Sequence, residues 1–595
     1  MSNTNYNLNI VTGQEKKTAI WPALRKLIGL LPRQRGQLLL ALIFMIVYAI
    51  LTMIAPFIVG TTINRYILDK THQDFSMVLR SCGWLLLIYA LNLLAVYLRT
   101  ILMGGFGQHL LYELRNAIFN KLQELPVAFF SQNKAGDLIS RVNNDTDKIN
   151  QFFSQSLMQF VSSLFIIAGA GVFLVILNWR LGLAALVPAA LMWIFAKFVS
   201  PWVKKKNAAS LKSTGMMSAE IQESLGNFKV VLAFNRRDYF RKRFAVANTN
   251  NYSASVGAGI ANNVYTPVFG LLASMGSLVV LVYGIYLITI GRFSPGFLIT
   301  YFMLVNYFYD PLKQMAALWA NFQLAIASWD RISRILSLES DLVTLPVETA
   351  AATPSSASLL EFRNVSFRYP GGKDVLRHNN FNMQRGKTYA LVGPTGGGKT
   401  TTASLIARLY DPTEGSVLLD GRDIRTYTPA ERTKKIGFIL QEPFLFTGTV
   451  KDNILYGNEQ YKDCSDDQLT AVLHESGLET LLTRFDEGLA TSLTSAGDGI
   501  SLGQRQLIAF IRAVLRNPDL LILDEATANI DTVTEQLLED ILQRLPETTT
   551  RVIIAHRLNT IENADEIFFV NSGEITRAGS LDQAVDMLLQ GRRVS

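Results

Sequence analysis

At 595 residues the chain is too long for a single compact core, so several domains are expected. Apolar residues make up 49% and charged residues only 17%, which is less charge than ordinary globular proteins carry. A net charge of +8 fits nucleic acid or an anionic membrane surface as a partner, and two cysteines imply neither a disulfide framework nor a metal site. The polar N-terminus lacks the apolar core of a cleaved signal peptide.

Six stretches in the first half of the chain contain no Asp, Glu, Lys or Arg. They are residues 37–64, 81–98, 149–179, 181–196, 244–291 and 293–309. A helix needs about 20 mostly apolar residues to cross a bilayer. Buried soluble helices explain one or two such runs, but six cannot pack into a soluble fold of this size. The runs therefore predict six membrane helices, with a tight turn around Trp179 and Arg180 at the membrane interface.

Basic residues are distributed unevenly around these runs. Six Lys or Arg precede the first run against one acid, and eleven lie in 197–243 against three acids. Because Lys and Arg concentrate in cytoplasmic loops, both termini and two long loops, about 100–150 and 198–243, are predicted in the cytoplasm. The loops have helical patterning, so the spans are expected to continue as helices beyond the bilayer of the cytoplasmic membrane.

Composition also divides the chain into domains. Residues 344–358 are small and include proline, which predicts a linker. Residues 1–36 then form a cytoplasmic N-terminal segment, 37–343 a membrane domain and 359–595 a domain of different composition.

The second domain contains a phosphate-binding motif. Residues 393–400 match the pattern G-x-x-x-x-G-K-S/T, between the apolar run 389–392 and the helix-like stretch 401–406. The glycines allow backbone N–H groups to surround a polyphosphate, Lys399 adds positive charge, and the Thr400 hydroxyl can hold Mg²⁺. The pattern predicts a nucleoside triphosphate site formed by Gly393, Pro394, Thr395, Gly396, Gly397, Gly398, Lys399, Thr400 and Thr401.

A second apolar run, residues 520–523, ends in two acids, Asp524 and Glu525. A buried strand that delivers carboxylates at its C-terminal end has this pattern. Asp524 would support Mg²⁺, and Glu525 would polarise an attacking water. Alone, the pattern slightly favours a structural explanation. In a domain that already contains a phosphate-binding motif, the catalytic explanation is favoured.

Between these motifs, Ser501 and Gln504 have the spacing of a capping box and predict the start of a helix. The helix N-terminus would carry partial positive charge and free N–H groups suited to a phosphate. The alternative is a capped surface helix with no further role.

With these elements in this order, the chain resembles a half-transporter of the ATP-binding cassette (ABC) exporter family over essentially its whole length. The resemblance implies six transmembrane helices with long cytoplasmic extensions, fused to an α/β P-loop nucleotide-binding domain that binds ATP and Mg²⁺. It implies that Thr400, Gln441 and Asp524 hold the metal, partly through water. By the same resemblance Tyr369 stacks on adenine, Asp531 signals between two cassettes and His556 contacts the terminal phosphate. Residues 129–141 resemble the family's first coupling loop.

One motif departs from the family. The signature Leu-Ser-Gly-Gly-Gln here reads Ile-Ser-Leu-Gly-Gln over residues 500–504, so Leu502 replaces a glycine that lets the backbone approach phosphate. Family cassettes dimerise head to tail, so Ser501, Gly503 and Gln504 would contact the partner's ATP. Resemblance to asymmetric bacterial exporters implies a heterodimer whose other chain has an intact signature and a weakened catalytic acid.

The function expected from these features is ATP-driven export of a drug-like or lipid-like amphipathic compound, with Glu525 and His556 as catalytic residues. A nucleotide-gated channel or regulatory subunit on the same scaffold remains open, as does a homodimeric lipid or peptide exporter. The six membrane runs argue against a soluble ATPase that acts on nucleic acid.

Substrate contacts are expected on the last predicted span. Tyr301, Phe308 and Tyr309 are spaced to share one helical face and offer stacking surfaces. Asp310, near the cytoplasmic end, is expected to capture cationic drugs. The alternatives are that the rings pack against neighbouring spans and that Asp310 forms a salt bridge with Lys313.

Overall fold

The structure is a computed structural model that describes residues 6–8, 34–69, 74–342, 344–346, 358–494, 499–524, 532–554, 562–579, 582–583 and 586–587. The chain divides into two compact units. Residues 12–122 and 136–337 form the helical unit, and residues 1–11, 123–135 and 338–595 form the α/β unit.

The first half of the chain is helical. In chain order its helices are α1 (Arg35–Thr62), α2 (Phe75–Glu124), α3 (Val127–Gln132), α4 (Ala135–Ser140), α5 (Thr146–Gln151), α6 (Leu157–Leu177), α7 (Trp179–Gly226), α8 (Phe228–Ala233), α9 (Arg237–Asn263), α10 (Tyr265–Thr289) and α11 (Pro295–Leu336). Short π-helical segments cover Ile63–Leu68, Arg141–Asp145 and Phe152–Ser156. The predicted helical extensions are present, because α2 has 50 residues and α7 has 48, more than twice what a span needs.

Five helical segments in the described part of the chain are long and apolar enough to cross a membrane: Arg35–Leu68, Phe75–Glu124, Ala135–Leu177, Trp179–Gly226 and Arg237–Thr289. The sixth predicted span lies in α11, which is also long enough but carries Asn306, Asp310 and Lys313. Side chains of α11 are buried in the same core as those of α1, α6, α7 and α10. The helix therefore belongs to the bundle despite its more polar sequence.

The predicted turn between the third and fourth spans is present. Helix α6 ends at Leu177, and Asn178, in extended conformation, caps α7 by accepting a hydrogen bond from the Leu181 N–H at 3.1 Å. Gly182 lies so close to α6 that an added Cβ would come within 2.6 Å of the Leu174 carbonyl oxygen. The cap and this close approach explain how two long helices connect through one residue.

The second half of the chain is α/β. Its strands are β1 (Ser358–Arg368), β2 (Asp374–Gln384), β3 (Thr388–Val392), β4 (Glu414–Leu419), β5 (Arg422–Asp423), β6 (Ile436–Ile439), β7 (Gly448–Thr449), β8 (Ser492–Leu493), β9 (Leu520–Asp524), β10 (Thr550–Ile554), β11 (Glu566–Asn571) and β12 (Glu574–Ala578). Its helices are α12 (Lys399–Ile406), α13 (Pro429–Lys435), α14 (Val450–Leu455), α15 (Asp466–Glu475), α16 (Glu479–Leu482), α17 (Leu502–Val514) and α18 (Thr532–Arg544).

A six-stranded sheet in the order β12-β11-β3-β10-β9-β6 forms the centre of this unit. Strand β12 pairs antiparallel at one edge, and the other five strands pair in parallel. Strands β3 and β9 are buried at every position, as their uninterrupted apolar sequences predict. A parallel sheet gathers the residues that follow its strands at one edge, so β3, β9 and β6 all deliver loops to the same place.

The α/β unit also contains a short N-terminal segment, Tyr6–Leu8, packed against helix α3. The Tyr6 ring is 1% exposed and meets Phe129 edge-on at 6.3 Å between centroids. Its hydroxyl donates to the Glu339 carbonyl at 3.1 Å and accepts from the Asp341 N–H at 3.0 Å. Residues 6–8, α3 and the chain just after α11 are thus held together by one buried tyrosine.

Candidate functional site

The phosphate-binding motif forms the loop between β3 and α12, as predicted from the sequence. Gly393 has φ +146°, and a Cβ there would lie 2.0 Å from the Val570 carbonyl oxygen. A Cβ on Gly397 would lie 2.5 Å from the same oxygen. Gly398, with φ +116°, is the N-cap residue just before α12. Side chains at Gly393 and Gly397 would collide with strand β11, so the loop's backbone path requires glycine there.

Lys399 is the first residue of α12 and is only 6% exposed. Its Nζ donates to the carbonyl oxygens of Gly393 at 2.9 Å and Pro394 at 3.1 Å. The loop therefore holds a positive charge beside the N-terminus of a helix whose dipole also favours anions. This arrangement is suited to a polyphosphate.

Asp524 is the last residue of β9, and its carboxyl group is brought to the start of α12. The Asp524 side chain is 4% exposed, and its Oδ1 lies 3.5 Å from Thr400 Oγ1. A hydroxyl and a carboxylate at this spacing are oxygen ligands of the kind Mg²⁺ takes together with substrate phosphates. Gln441, the third predicted metal ligand, is exposed two residues beyond β6, which is the strand beside β9.

Tyr369, the residue expected to stack on adenine, lies against the same helix. Its hydroxyl and Thr401 Oγ1 share a hydrogen bond of 3.0 Å. The ring meets Phe367 and Tyr410 edge-on, with centroids at 4.9 and 5.2 Å. Tyr369 is thus held half-buried beside the phosphate loop, with its position fixed by two neighbouring rings.

Sequence reasoning missed Tyr410. This residue contacts the Tyr369 ring, and its hydroxyl also interacts with the side chain of Ser131 in α3, within the same α/β unit. Burial raises the pKa of Tyr410 above its usual range. A tyrosine four residues after a helix carries no motif signal, and only the tertiary structure shows that it lies between Tyr369 and α3.

The capping box predicted for the altered signature is confirmed. Ser501 Oγ accepts from the Gln504 N–H at 3.1 Å, and Gln504 Oε1 accepts from the Ser501 N–H at 2.7 Å. Gln504 Nε2 also donates to the Arg484 carbonyl at 2.6 Å. Leu502 and Gly503 occupy the first helical positions and are partly exposed. The leucine is accommodated without disturbing the helix, whose N-terminus remains capped.

Three predicted residues fall on parts of the chain outside those the structure describes: Glu525, Asp531 and His556. Glu525 directly follows β9, and His556 is two residues beyond β10. Their catalytic and signalling roles stay predictions.

The rings expected to contact substrate are packed inside the helical unit. Tyr301 is 0% exposed and donates to backbone carbonyls of Leu174 and Asn178, while Tyr309 is 1% exposed and donates to the Ala185 carbonyl at 2.6 Å. Phe308 is buried in the same core. The three rings therefore pack against neighbouring helices, which is the alternative to a role in contacting substrate. Asp310 is exposed and pairs with Lys313 at 2.9 Å, so its expected role with cationic compounds stays a prediction.

Comparison with known proteins assigns both halves of the chain. Residues 38–312 match the model of the ABC transporter transmembrane region, and residues 376–528 match the ABC transporter model. The chain is 34% identical over 570 residues to the uncharacterized ABC transporter ATP-binding protein YfiC of Bacillus subtilis, covering 94% of this chain and 92% of the relative.

Two further relatives have names that state a transported substance. An ATP-dependent lipid A-core flippase of Syntrophus aciditrophicus is 30% identical, with 93% of this chain and 91% of the relative covered. A multidrug resistance ABC transporter ATP-binding and permease protein of Lactococcus lactis is also 30% identical, with 82% and 81% covered.

Proposed function

The chain belongs to the ABC transporter family, and from that premise we propose that it exports drug-like or lipid-like amphipathic compounds across the cytoplasmic membrane as half of a heterodimer. It is a multi-pass membrane protein and an ATP-binding ATPase coupled to transport. The names of two relatives, a lipid flippase and a multidrug transporter, support this substrate class. The excess of Lys and Arg in 197–243 supports a cytoplasmic location for both termini.

The observation that carries the proposal is the phosphate loop in the same chain as the membrane helices. Lys399, held at the loop by two carbonyls, supplies positive charge at the outer phosphates of ATP. Thr400 and Asp524, 3.5 Å apart, would hold Mg²⁺ together with Gln441, partly through water. Tyr369 stacks on the adenine, Glu525 orients the attacking water, and His556 contacts the terminal phosphate.

The altered signature supports an asymmetric pair. Ser501, Gly503 and Gln504 at the start of α17 face the partner's nucleotide in the head-to-tail arrangement that the family resemblance implies, with Asp531 signalling between the cassettes. Leu502 places a branched side chain where the family has glycine, so the backbone cannot approach the partner's nucleotide closely and the partner's site is impaired. This chain's own ATP site then takes an intact signature from a different chain.

Transport into inside-out membrane vesicles tests the function. Cells that express this chain with a half-transporter that has an intact signature should yield vesicles that accumulate a fluorescent amphipathic drug when ATP is added. Lys399→Ala should abolish the accumulation, because the loop loses the charge that holds the phosphates. ATP-dependent ion conductance without accumulation of any amphipathic compound would contradict export and favour the channel alternative.

A further inference from the structure

The helical unit contains a cavity of about 510 Å³ that none of the motifs accounts for. Helices α1, α2, α6 and α11 line it, and its polar lining includes Thr52, Arg99, Ser162 and Asp310. A volume of this size is typical of a small-molecule site. Its polar groups distinguish it from the exposed apolar side chains on the same helices, such as Leu39, Leu86 and Val172.

Arg99 lies beside Tyr48, well inside the uncharged run of helix α1. Its guanidinium carbon is 4.0 Å from the centre of the Tyr48 ring, and Tyr48 is eleven residues inside the uncharged run 37–64. Eleven helical residues correspond to about 16 Å along the axis. A charge at this level of a membrane is unfavourable unless it is paired or functional.

The fold fixes the Arg99 side chain but does not neutralise it. Its Nη1 donates to Ser162 Oγ at 2.6 Å, and the Tyr48 ring covers one face of the guanidinium. The buried Nε has no hydrogen-bond acceptor among the residues described. No carboxylate among the described residues forms an ion pair with it. Asp310, on the wall of the same cavity, pairs with Lys313.

We infer that this cavity binds amphipathic anions, with the Arg99 guanidinium holding a carboxylate or phosphate group and the apolar part of the ligand lying along the helices. The inference rests on the proposed transport function and specifies how anionic members of its substrate class are held. An anion in the cavity would provide the missing counter-charge. Ser162 and the Tyr48 ring hold the guanidinium in place, so its charge is positioned for a charge-assisted hydrogen bond to such a group.

Binding to the purified full-length complex in lipid nanodiscs, without ATP, tests the inference. The probes are pyrene-labelled dodecanoate, the matching alkyl phosphate and the matching neutral alcohol, followed by fluorescence. Arg99→Gln should weaken binding of both anions roughly 10- to 100-fold and leave the alcohol within about twofold, because a charge-assisted contact is lost. Arg99→Lys should recover part of the affinity. A larger loss for one anion identifies whether a carboxylate or a phosphate is preferred.

Arg80→Gln is the matched control, since Arg80 is an exposed arginine on the same helix. Its binding of all three probes should equal that of the unmodified complex. Equal losses for the anions and the alcohol in Arg99→Gln, or unchanged anion binding in both Arg99 variants, would overturn the inference. Because no ATP is present, this result is independent of whether the complex transports, so a failure here leaves the export proposal to its own vesicle test.

Discussion

The phosphate loop and the signature motif each lead into a helix N-terminus, yet the fold constrains their sequences very differently. In the loop, a side chain at Gly393 would lie 2.0 Å from a backbone oxygen of β11. In the signature helix, Leu502 occupies the first position of α17 with the capping box intact. The loop depends on glycine for its fold, whereas the signature helix begins normally with leucine at position 502.

This difference explains how a family motif can be altered in a well-formed domain. A change in the loop would disrupt the site's own backbone, but the change at position 502 leaves the helix and its capping box intact. The sequence of the signature motif can therefore depart from the family pattern, while that of the phosphate loop cannot, and the fold stays the same.

The largest expected effect concerns the catalytic acid of this chain's own site. Glu525→Gln should lower ATP hydrolysis of the complex by at least roughly 100-fold while ATP binding is retained, since the carboxylate that orients water is lost and the phosphate contacts remain. Steady-state hydrolysis and labelled-nucleotide binding measure the two properties. Turnover near that of the unmodified complex would remove Glu525 from the mechanism.

The next effect tests the claim that the loop cannot accept a side chain. Gly393→Ala should weaken ATP binding by roughly tenfold or more, because Cβ would collide with the Val570 carbonyl. Gly396→Ala is the matched control: its φ is also positive, at +83°, but nothing lies within 4 Å of the added Cβ. Isothermal titration with ATP separates the two variants, and equal losses would show that backbone strain, not the collision, limits the loop.

A smaller effect is expected at Tyr410, which lies between Tyr369 and α3. Tyr410→Phe keeps the ring packing but loses the hydroxyl contact with Ser131, so substrate-stimulated hydrolysis should fall about twofold to fivefold while the KM for ATP stays unchanged. Ser131→Ala should give the same pattern. Tyr410→Ala should instead raise the KM, because Tyr369 loses a neighbouring ring. A changed KM in Tyr410→Phe would contradict this division of roles.

The sequence predicted the elements whose signal is local. The strand and loop at 389–400, the buried strand ending at Asp524 and the capping box at Ser501 all follow from a few consecutive residues, and all are present. The turn at Asn178 was also predicted, from a single charge between two apolar runs.

Features that depend on contacts between residues far apart in the chain could not be predicted from the sequence. Tyr301 and Tyr309 sit on an aromatic helix face, and their spacing alone does not distinguish a cavity wall from a packed core. In the sequence, Arg99 lies just beyond an uncharged run and resembles an interfacial anchor. Its position over the Tyr48 ring could not be predicted, because that position depends on how α1 and α2 pack together. Tyr6 and Tyr410 likewise acquire their partners only in the tertiary fold.

The smallest expected effect is at Asp310. Because Lys313 already pairs with this carboxylate, Asp310→Asn should reduce transport of cationic compounds only about twofold and spare neutral ones. Vesicle uptake of one cationic and one neutral dye of similar size measures the difference. Equal changes for both dyes, or none for either, would assign Asp310 a structural role.

The most direct test of the asymmetry is the ATPase activity of this chain purified without any partner. The unmodified chain should turn over slowly, and Leu502→Gly should raise its activity at least roughly tenfold by restoring backbone access to the facing nucleotide. Ile500→Leu, which restores a different signature residue, should have little effect. A stable homodimer of the unmodified chain with full substrate-stimulated turnover, unchanged by Leu502→Gly, would contradict the account.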